Sequence, residues 1–214
     1  MKMKMKKSRV SNAVIRRLPR YYRHLSELQV AGVSRVSSNM LGKAMGFTAS
    51  QIRQDLSCFG EFGQRGYGYG VDKLKDEIAD ILGMNEGHEA VLFGVGNLGR
   101  ALIGNFNFGK NGVKLLAAFE VDPHMVGTEL FGVPIYDPSD ARAFLQDHPV
   151  ELGVITVPKA NAKDVARLLV DCNVKGIWNF ANTDLDIDES SGVVVENVHF
   201  ADSLLALSYM ITEE

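Results

Sequence analysis

Cysteine is scarce in this sequence: Cys58 and Cys172 are the whole supply, they lie far apart, and no CxxC pair occurs. That excludes a disulfide framework and a cysteine-built zinc site, and makes a reducing, cytoplasmic setting the simple expectation. Long apolar runs are also missing, and none approaches the roughly 20 residues a helix needs to span a bilayer, so no membrane partner is expected. The opening MKMKMKKSR is basic like the start of a secretory signal. Charges nevertheless occupy the next stretch, where an apolar core would be required, so no signal peptide is expected. The histidines, His24, His88, His124, His148 and His199, are scattered without metal-ligand spacing or a carboxylate placed to orient one. No nucleophile elbow occurs, and Lys159 reads as a solvated residue at a helix start, so neither a metal site nor a catalytic site is expected.

Acids are nearly absent from one part of the chain. Residues 1–70 carry 13 Lys and Arg against only Glu27, Asp55 and Glu61, a net of +10 inside an overall charge of −3. The remaining residues are correspondingly acidic, with a net of −13. A basic tail explains the cations before Val10, but not Arg16, Arg17, Arg20, Arg23, Arg35, Lys43, Arg53 and Arg65 with so few acids between them. The pattern implies a basic module for a polyanion, joined to a module with another task.

Within the basic part, Leu18, Tyr21, Tyr22, Leu25 and Leu28 recur at helical spacing, predicting a helix over Ser11–Ala31 that ends at Gly32. Pro19 would either kink this helix or begin its longer part. A short helix over Asn39–Met45 is closed by Gly46. Thr48-Ala-Ser-Gln51 then reads as a capping box that starts a helix over Ala49–Phe59. Two short helices around a tight glycine turn outline a helix-turn-helix, whose second helix would point Ser50, Arg53, Gln54 and Ser57 toward a DNA major groove. Residues 60–70 hold five glycines interleaved with aromatics, which favours a β-hairpin wing with Arg65 at its tip over a flexible linker. Ser38 and Tyr67 complete the expected DNA face. A further helix from Asp72, apolar at Leu74, Ile78, Ile81 and Leu82, should pack beneath the wing or link the domains.

From Glu89 onward the period changes. Strands are expected at Ala90–Phe93, Lys114–Phe119, Val133–Tyr136, Leu152–Val157, Gly176–Phe180 and Val193–Val198, with helices from Asn97, over Ser139–Gln146 and over Ala162–Cys172. This alternation predicts a mainly parallel sheet covered on both faces. A last helix over Ala201–Ile211 is apolar at Leu204, Leu205, Leu207, Met210 and Ile211, too broadly so for a solvated tail.

One motif carries recognisable chemistry. Gly94, Gly96 and Gly99 follow the first strand directly and open a helix, and Glu120 closes the next strand 21 residues after Gly99. Gly94 would permit the tight turn and Gly96 the approach of backbone N–H groups to a pyrophosphate. Gly99 would let the helix lie close on the strand. Asn97 and Leu98 open that helix. Glu120, with Val121 after it, would accept from the ribose hydroxyls and repel a 2′-phosphate, which favours NAD(H) over NADP(H). Thr156-Val157-Pro158 and Asn179-Phe180-Ala181 end later strands and would face the same crevice. Two rivals stay open: an NAD-dependent oxidoreductase fused to a DNA-binding domain, and a CoA- or nucleotide-binding module. Glu120 opposes the CoA reading, because CoA carries a phosphate on that ribose.

Taken together, Arg17-Leu-Pro-Arg-Tyr-Tyr-Arg23, Ser37-Ser38, Ile52-Arg-Gln-Asp-Leu-Ser-Cys-Phe-Gly60, Arg65-Gly-Tyr-Gly-Tyr69, Gly94-Val-Gly-Asn-Leu-Gly99, Thr156-Val-Pro158 and Asn179-Phe-Ala181 closely resemble the Rex redox-sensing repressors. The likeness runs from about Ala13 to the C-terminus. It implies an α/β chain: a winged-helix DNA-binding domain over residues 1–83, a Rossmann-like NAD(H)-binding domain over 84–200, and a C-terminal helix over 201–214 swapped onto a partner subunit. It further implies a homodimer that binds inverted-repeat operator DNA and is released by NADH, with NADH and NAD⁺ as the ligands compared. Phe200 matches the aromatic that the swapped helix brings to the partner's nicotinamide. Gln54 stands where some members carry Lys, and His199 where at least some carry an acid.

Overall fold

The computed structural model describes residues 10–63 and 66–212, and the chain divides into two compact units between Glu86 and Gly87. In the first unit, α1 (Asn12–Val30) begins where the Ser11 hydroxyl accepts from the Val14 N–H. The helix runs straight through Pro19 instead of starting there. Burial of Leu18, Tyr21 and Leu25 on either side outweighs the lost hydrogen bond. After β1 (Arg35–Val36) come α2 (Ser38–Met45) and α3 (Ala49–Ser57). Gly46 closes α2 at φ +72°, and Gly42 lies so near the following turn that a Cβ there would sit 2.5 Å from the Phe47 carbonyl oxygen. This close approach makes the helix-turn-helix.

The capping box forms by half. Thr48 Oγ1 accepts from the Gln51 N–H at 3.1 Å, but the Gln51 amide turns away and donates to Asp55 Oδ1 at 2.7 Å. An ionised carboxylate is the stronger attraction for that amide. Asp55 is fully buried, and α1 meets α3 on it: the Arg17 guanidinium donates through Nε and Nη2 at 2.6 and 2.8 Å, and the Tyr21 hydroxyl donates at 2.5 Å. Burial by itself would raise the pKa of Asp55. The hydrogen bonds from Arg17, Tyr21 and Gln51 outweigh it and hold the group below the ordinary carboxylate value. Arg20 reinforces the same corner, donating to the Met45 carbonyl at 2.9 Å and lying over the Phe47 ring at 4.7 Å.

Only part of the segment expected as a wing falls among the described residues. Of residues 60–70, β2 (Tyr69–Gly70) pairs antiparallel with β1, placing Val36 opposite Tyr69 and Arg35 opposite Gly70. Tyr69 is buried in the core and Phe62 packs against it. Gly63 is pressed on the Tyr69 ring, 2.9 Å from where its Cβ would be. These rings anchor both flanks of the glycine-rich segment to the core. Arg65, with Gln64, lies outside the described residues. Next, α4 (Val71–Ile81) packs along α1 and buries Val71, Leu74 and Ile78, each worth roughly 1.5–3 kcal/mol over exposure.

The second unit contains the six expected strands in one sheet: β3 (His88–Phe93), β4 (Val113–Phe119), β6 (Val133–Tyr136), β7 (Leu152–Ile155), β8 (Gly176–Asn179) and β9 (Val194–Asn197). Their order is β6-β4-β3-β7-β8-β9, all parallel, with helices α5 (Asn97–Asn105), α6 (Ala141–Asp147) and α7 (Lys159–Asp171) in the connections. The order reverses between β4 and β7, on either side of β3. One element was not expected, β5 (Glu129–Leu130), which pairs antiparallel with β6 through the two-residue turn Phe131-Gly132. Both turn residues have positive φ, +50° and +84°, and Phe131 adopts this strained conformation with its ring against Gly104. The last element, α8 (Phe200–Thr212), buries none of its residues.

Because Asp55 ties α3 to α1, Asp55→Ala should lower stability by about 3 kcal/mol at neutral pH, leaving Arg17 and Tyr21 without their acceptor. A depressed folded-state pKa stabilises above the unfolded carboxylate value, and that stability fades as pH falls through the folded one. The gap between native protein and variant should therefore close in acid. Urea denaturation followed by circular dichroism at neutral and acidic pH checks this; a gap independent of pH would show that the ion pair is not its source.

Candidate functional site

Helix α3 turns Ile52, Asp55 and Leu56 inward, which leaves Ser50, Arg53, Gln54 and Ser57 exposed along its other side. These are the four residues predicted for a groove-reading helix. Arg53 donates to Ser38 Oγ at 3.1 Å, so the guanidinium is held across the start of α2 before any ligand arrives. Ser57 spends its hydroxyl proton on the Gln54 carbonyl at 2.8 Å. A cleft of about 680 Å³ opens beside the helix, lined by Ser38, Arg53, Ser57 and the glycine-rich loop. Tyr67 is exposed at the far side of that loop, with the Arg35 guanidinium 5.5 Å from its ring centroid. The surface offers a fixed cation, hydroxyls and an amide on a protruding helix, the donor set that reads phosphates and base edges.

In the second unit the sequence-predicted glycines do what their positions demand. Gly94 has φ +94°, and a Cβ on it would lie 2.8 Å from the Val157 nitrogen. At Gly99 a Cβ would lie 2.0 Å from the Gly94 carbonyl oxygen, so α5 reaches this close to the strand end only without a side chain there. Nothing lies within 4 Å of a Cβ built on Gly96, which is open to a ligand. Gly96 also starts α5 with no side-chain cap, leaving the N–H groups of Asn97, Leu98 and Gly99 at the positive end of the helix.

A crevice of about 540 Å³ lies over the carboxyl ends of β3, β4 and β7 and is lined by Gly94, Gly96, Glu120, Val121, Thr156, Val157 and Pro158. The Glu120 carboxylate accepts from the N–H groups of Val95 at 2.5 Å, Val121 at 2.7 Å and Asp122 at 3.3 Å. Thr156 Oγ1 donates between the Phe93 and Gly94 carbonyls, at 2.9 and 2.6 Å, and so braces the glycine turn. The walls also include Pro138, Asn161 and Val165, which the sequence reading missed. Pro138 could have been found as the residue just past the end of β6. Asn161 and Val165 share one face of α7, which has no distinguishing motif.

The third predicted segment is placed differently. Asn179 and Ala181 are buried, and the Asn179 side chain is fully engaged. Its amide donates to Thr183 O and Asn197 Oδ1 at 2.9 and 2.8 Å, and its carbonyl accepts from the Ala181 N–H at 3.0 Å. These residues shape the strand end and do not line the crevice. Phe180 is half-buried, with its ring centroid 6.2 Å from that of Phe200, which is 62% exposed.

Comparison with known proteins finds a match for each part of the chain. Residues 9–57 match a family model described as "Putative DNA-binding protein N-terminus", and residues 85–183 match the "CoA binding domain" model. The redox-sensing transcriptional repressor Rex of Clostridium novyi is 48% identical over 206 residues, covering 96% of this chain and 97% of the relative. Its counterpart from Clostridium acetobutylicum is 47% identical over 208 residues, covering 97% of this chain and 96% of the relative. A crystal structure of RSP in complex with β-NAD⁺ and operator DNA superposes with a TM-score of 0.89 at 42% identity, covering 97% of this chain and 94% of that one. The RSP complex with β-NADH gives a TM-score of 0.88 at 40% identity, covering 97% and 96% of the two chains. With such identity along nearly its whole length, this chain belongs to the Rex family of redox-sensing transcriptional repressors.

Proposed function

We propose that this chain represses transcription by binding operator DNA through α3 and the adjoining glycine-rich loop, and that NADH in the β3–β4–β7 crevice releases it. The observation that carries the reading is the crevice itself: three glycines, an uncapped helix start and the Glu120 carboxylate meet where the strand order reverses. The pyrophosphate would lie on the first turn of α5, with Glu120 facing the adenosine ribose. That carboxylate would repel a phosphate on the ribose, which argues against CoA despite the name of the matching model. The protein is a regulator, as its relatives are named, and not an enzyme. RSP is known with β-NAD⁺ and operator DNA, and with β-NADH, which supports both ligands for this chain.

The proposed site residues are those predicted from the sequence: Ser38, Ser50, Arg53, Gln54, Ser57, Arg65 and Tyr67 for DNA, and Gly94, Gly96, Asn97, Leu98, Gly99, Glu120, Val121, Thr156, Val157 and Pro158 for the dinucleotide. Phe180 and Phe200 complete the nicotinamide end. Asn179 and Ala181 support that end from behind. The working form is a homodimer on an inverted repeat, in the cytoplasm. Support for the dimer comes from α8, on which Leu204, Leu205 and Ile211 are 66–67% exposed in the single chain. An apolar helix of this kind needs a partner surface. No helix among the described residues is long and apolar enough to cross a membrane.

Release follows from differential affinity: NADH lowers operator binding only as far as it prefers the form that does not fit the operator. Reduced nicotinamide is uncharged, whereas the oxidised ring carries a positive charge that is costly to place beside Phe200 and Phe180. In a gel-shift titration, NADH should dissociate the operator complex at concentrations where NAD⁺ does not; equal potency would defeat the proposal. Gly99→Ala should abolish NADH binding, because the new methyl collides with the Gly94 carbonyl, and fluorescence titration reads this directly. Charging α8 by Leu204→Glu with Leu207→Glu should convert a dimer into a monomer in sedimentation velocity.

A further inference from the structure

Two side chains strap the glycine turn to the loop that follows β4. The Glu120 carboxylate takes the Val95 N–H at 2.5 Å and also the N–H groups of Val121 and Asp122. Arg100, on the second turn of α5, donates through Nε to the Val95 carbonyl at 3.1 Å. Its Nη2 reaches Met125 Sδ at 3.0 Å, in the turn where the Met125 N–H donates to the Asp122 carbonyl. Both polar groups of Val95 are thus held by side-chain hydrogen bonds, and the peptides on either side of it are fixed. The Val95 side chain is 1% exposed, and the Gly94 N–H is bonded to the Phe119 carbonyl at 2.8 Å, so the turn has few freedoms left.

Glycine turns lose more conformational freedom on ordering than any other backbone, and a ligand that must order its own cradle binds more weakly. We infer that Arg100 is a positioning residue for the dinucleotide, acting with Glu120 to preform the pyrophosphate turn and to join it rigidly to the ribose end of the crevice. This rests on the dinucleotide reading of the crevice. Arg100 acts here through the hydrogen bond from Nε and not through its charge. The carboxylate expected to meet the ribose is also the one that sets the turn, so the two subsites adjust together.

The test is a fluorescence titration of the full chain with NADH, comparing native protein with Arg100→Ala, Arg100→Gln and Arg100→Lys. Glutamine carries its amide nitrogen the same number of bonds from the backbone as arginine Nε and has no charge. Arg100→Ala should raise the NADH Kd about three- to tenfold, the worth of one net hydrogen bond, while Arg100→Gln stays within about twofold of native. The loss in Arg100→Ala should be equal at low and high salt, and equal for ADP-ribose, which lacks the nicotinamide. Should the alanine variant not fold, Arg100→Met keeps the stem, removes every donor and carries the same expectation. Native affinity in Arg100→Ala or Arg100→Met overturns the inference. So does an Arg100→Gln as weak as alanine beside an intact Arg100→Lys, with a loss that shrinks in salt, since that marks a direct ionic contact with phosphate. Failure of the native chain to bind NADH would instead overturn the dinucleotide reading itself.

Discussion

The second unit depends on a single close approach, that of α5 to the end of β3 at Gly99. A methyl there would stand 2.0 Å from the Gly94 carbonyl oxygen, so no other residue leaves the helix where it is. The constraint propagates. With α5 seated, its first turn opens onto the crevice, Val95 falls within reach of Glu120, and Thr156 bonds the carbonyls that flank the turn. Mutual support of this kind converts a flexible sequence into a rigid anion cradle. The same backbone approach makes the fold intolerant of any side chain at this position.

The first unit uses charge where the second uses the absence of a side chain. Asp55 is the one buried carboxylate among its described residues, and it joins Arg17 and Tyr21 of α1 to Gln51 and the rest of α3. A carboxylate satisfied by four donor atoms offsets its desolvation, and in return the helix meant to enter a groove cannot roll about its own axis. Ser50, Arg53, Gln54 and Ser57 keep their common face because Asp55 keeps the opposite one. The basic character of this unit therefore has two parts: exposed cations for a polyanion, and Arg17, whose charge is spent inside.

Much of this was legible beforehand, for stated physical reasons. Gly94, Gly96 and Gly99 could be read because close backbone approaches admit only glycine, and Glu120 because it ends the next strand at fixed spacing. Helix limits at Thr48 and Gly46 followed from local cap and turn chemistry. What stayed hidden was long-range. Nothing in the neighbourhood of Arg17 marks it as the partner of Asp55, 38 residues away. The capping box failed because Gln51 found that same carboxylate. That Phe62 and Tyr69 of the glycine-rich segment would pack on the core was equally hidden, since their partners are distant in sequence. Asn179 was placed at the ligand because strand ends bind ligands, and its own neighbours Ala181, Thr183 and Asn197 claim its polar atoms.

The hairpin at Phe131-Gly132 carries a consequence for sequence drift in this family. Phe131 keeps a left-handed backbone that usually belongs to glycine or asparagine, and its ring covers Gly104, where a Cβ would meet it at 2.5 Å. Neither position can change freely while the other stays. A larger residue at 104 has no room beneath the ring, and a small residue at 131 would leave the helix surface bare. Among descendants of this chain the two positions are therefore bound to vary as a pair. The permitted route runs through an asparagine at 131, which relieves the backbone, before any side chain can appear at 104.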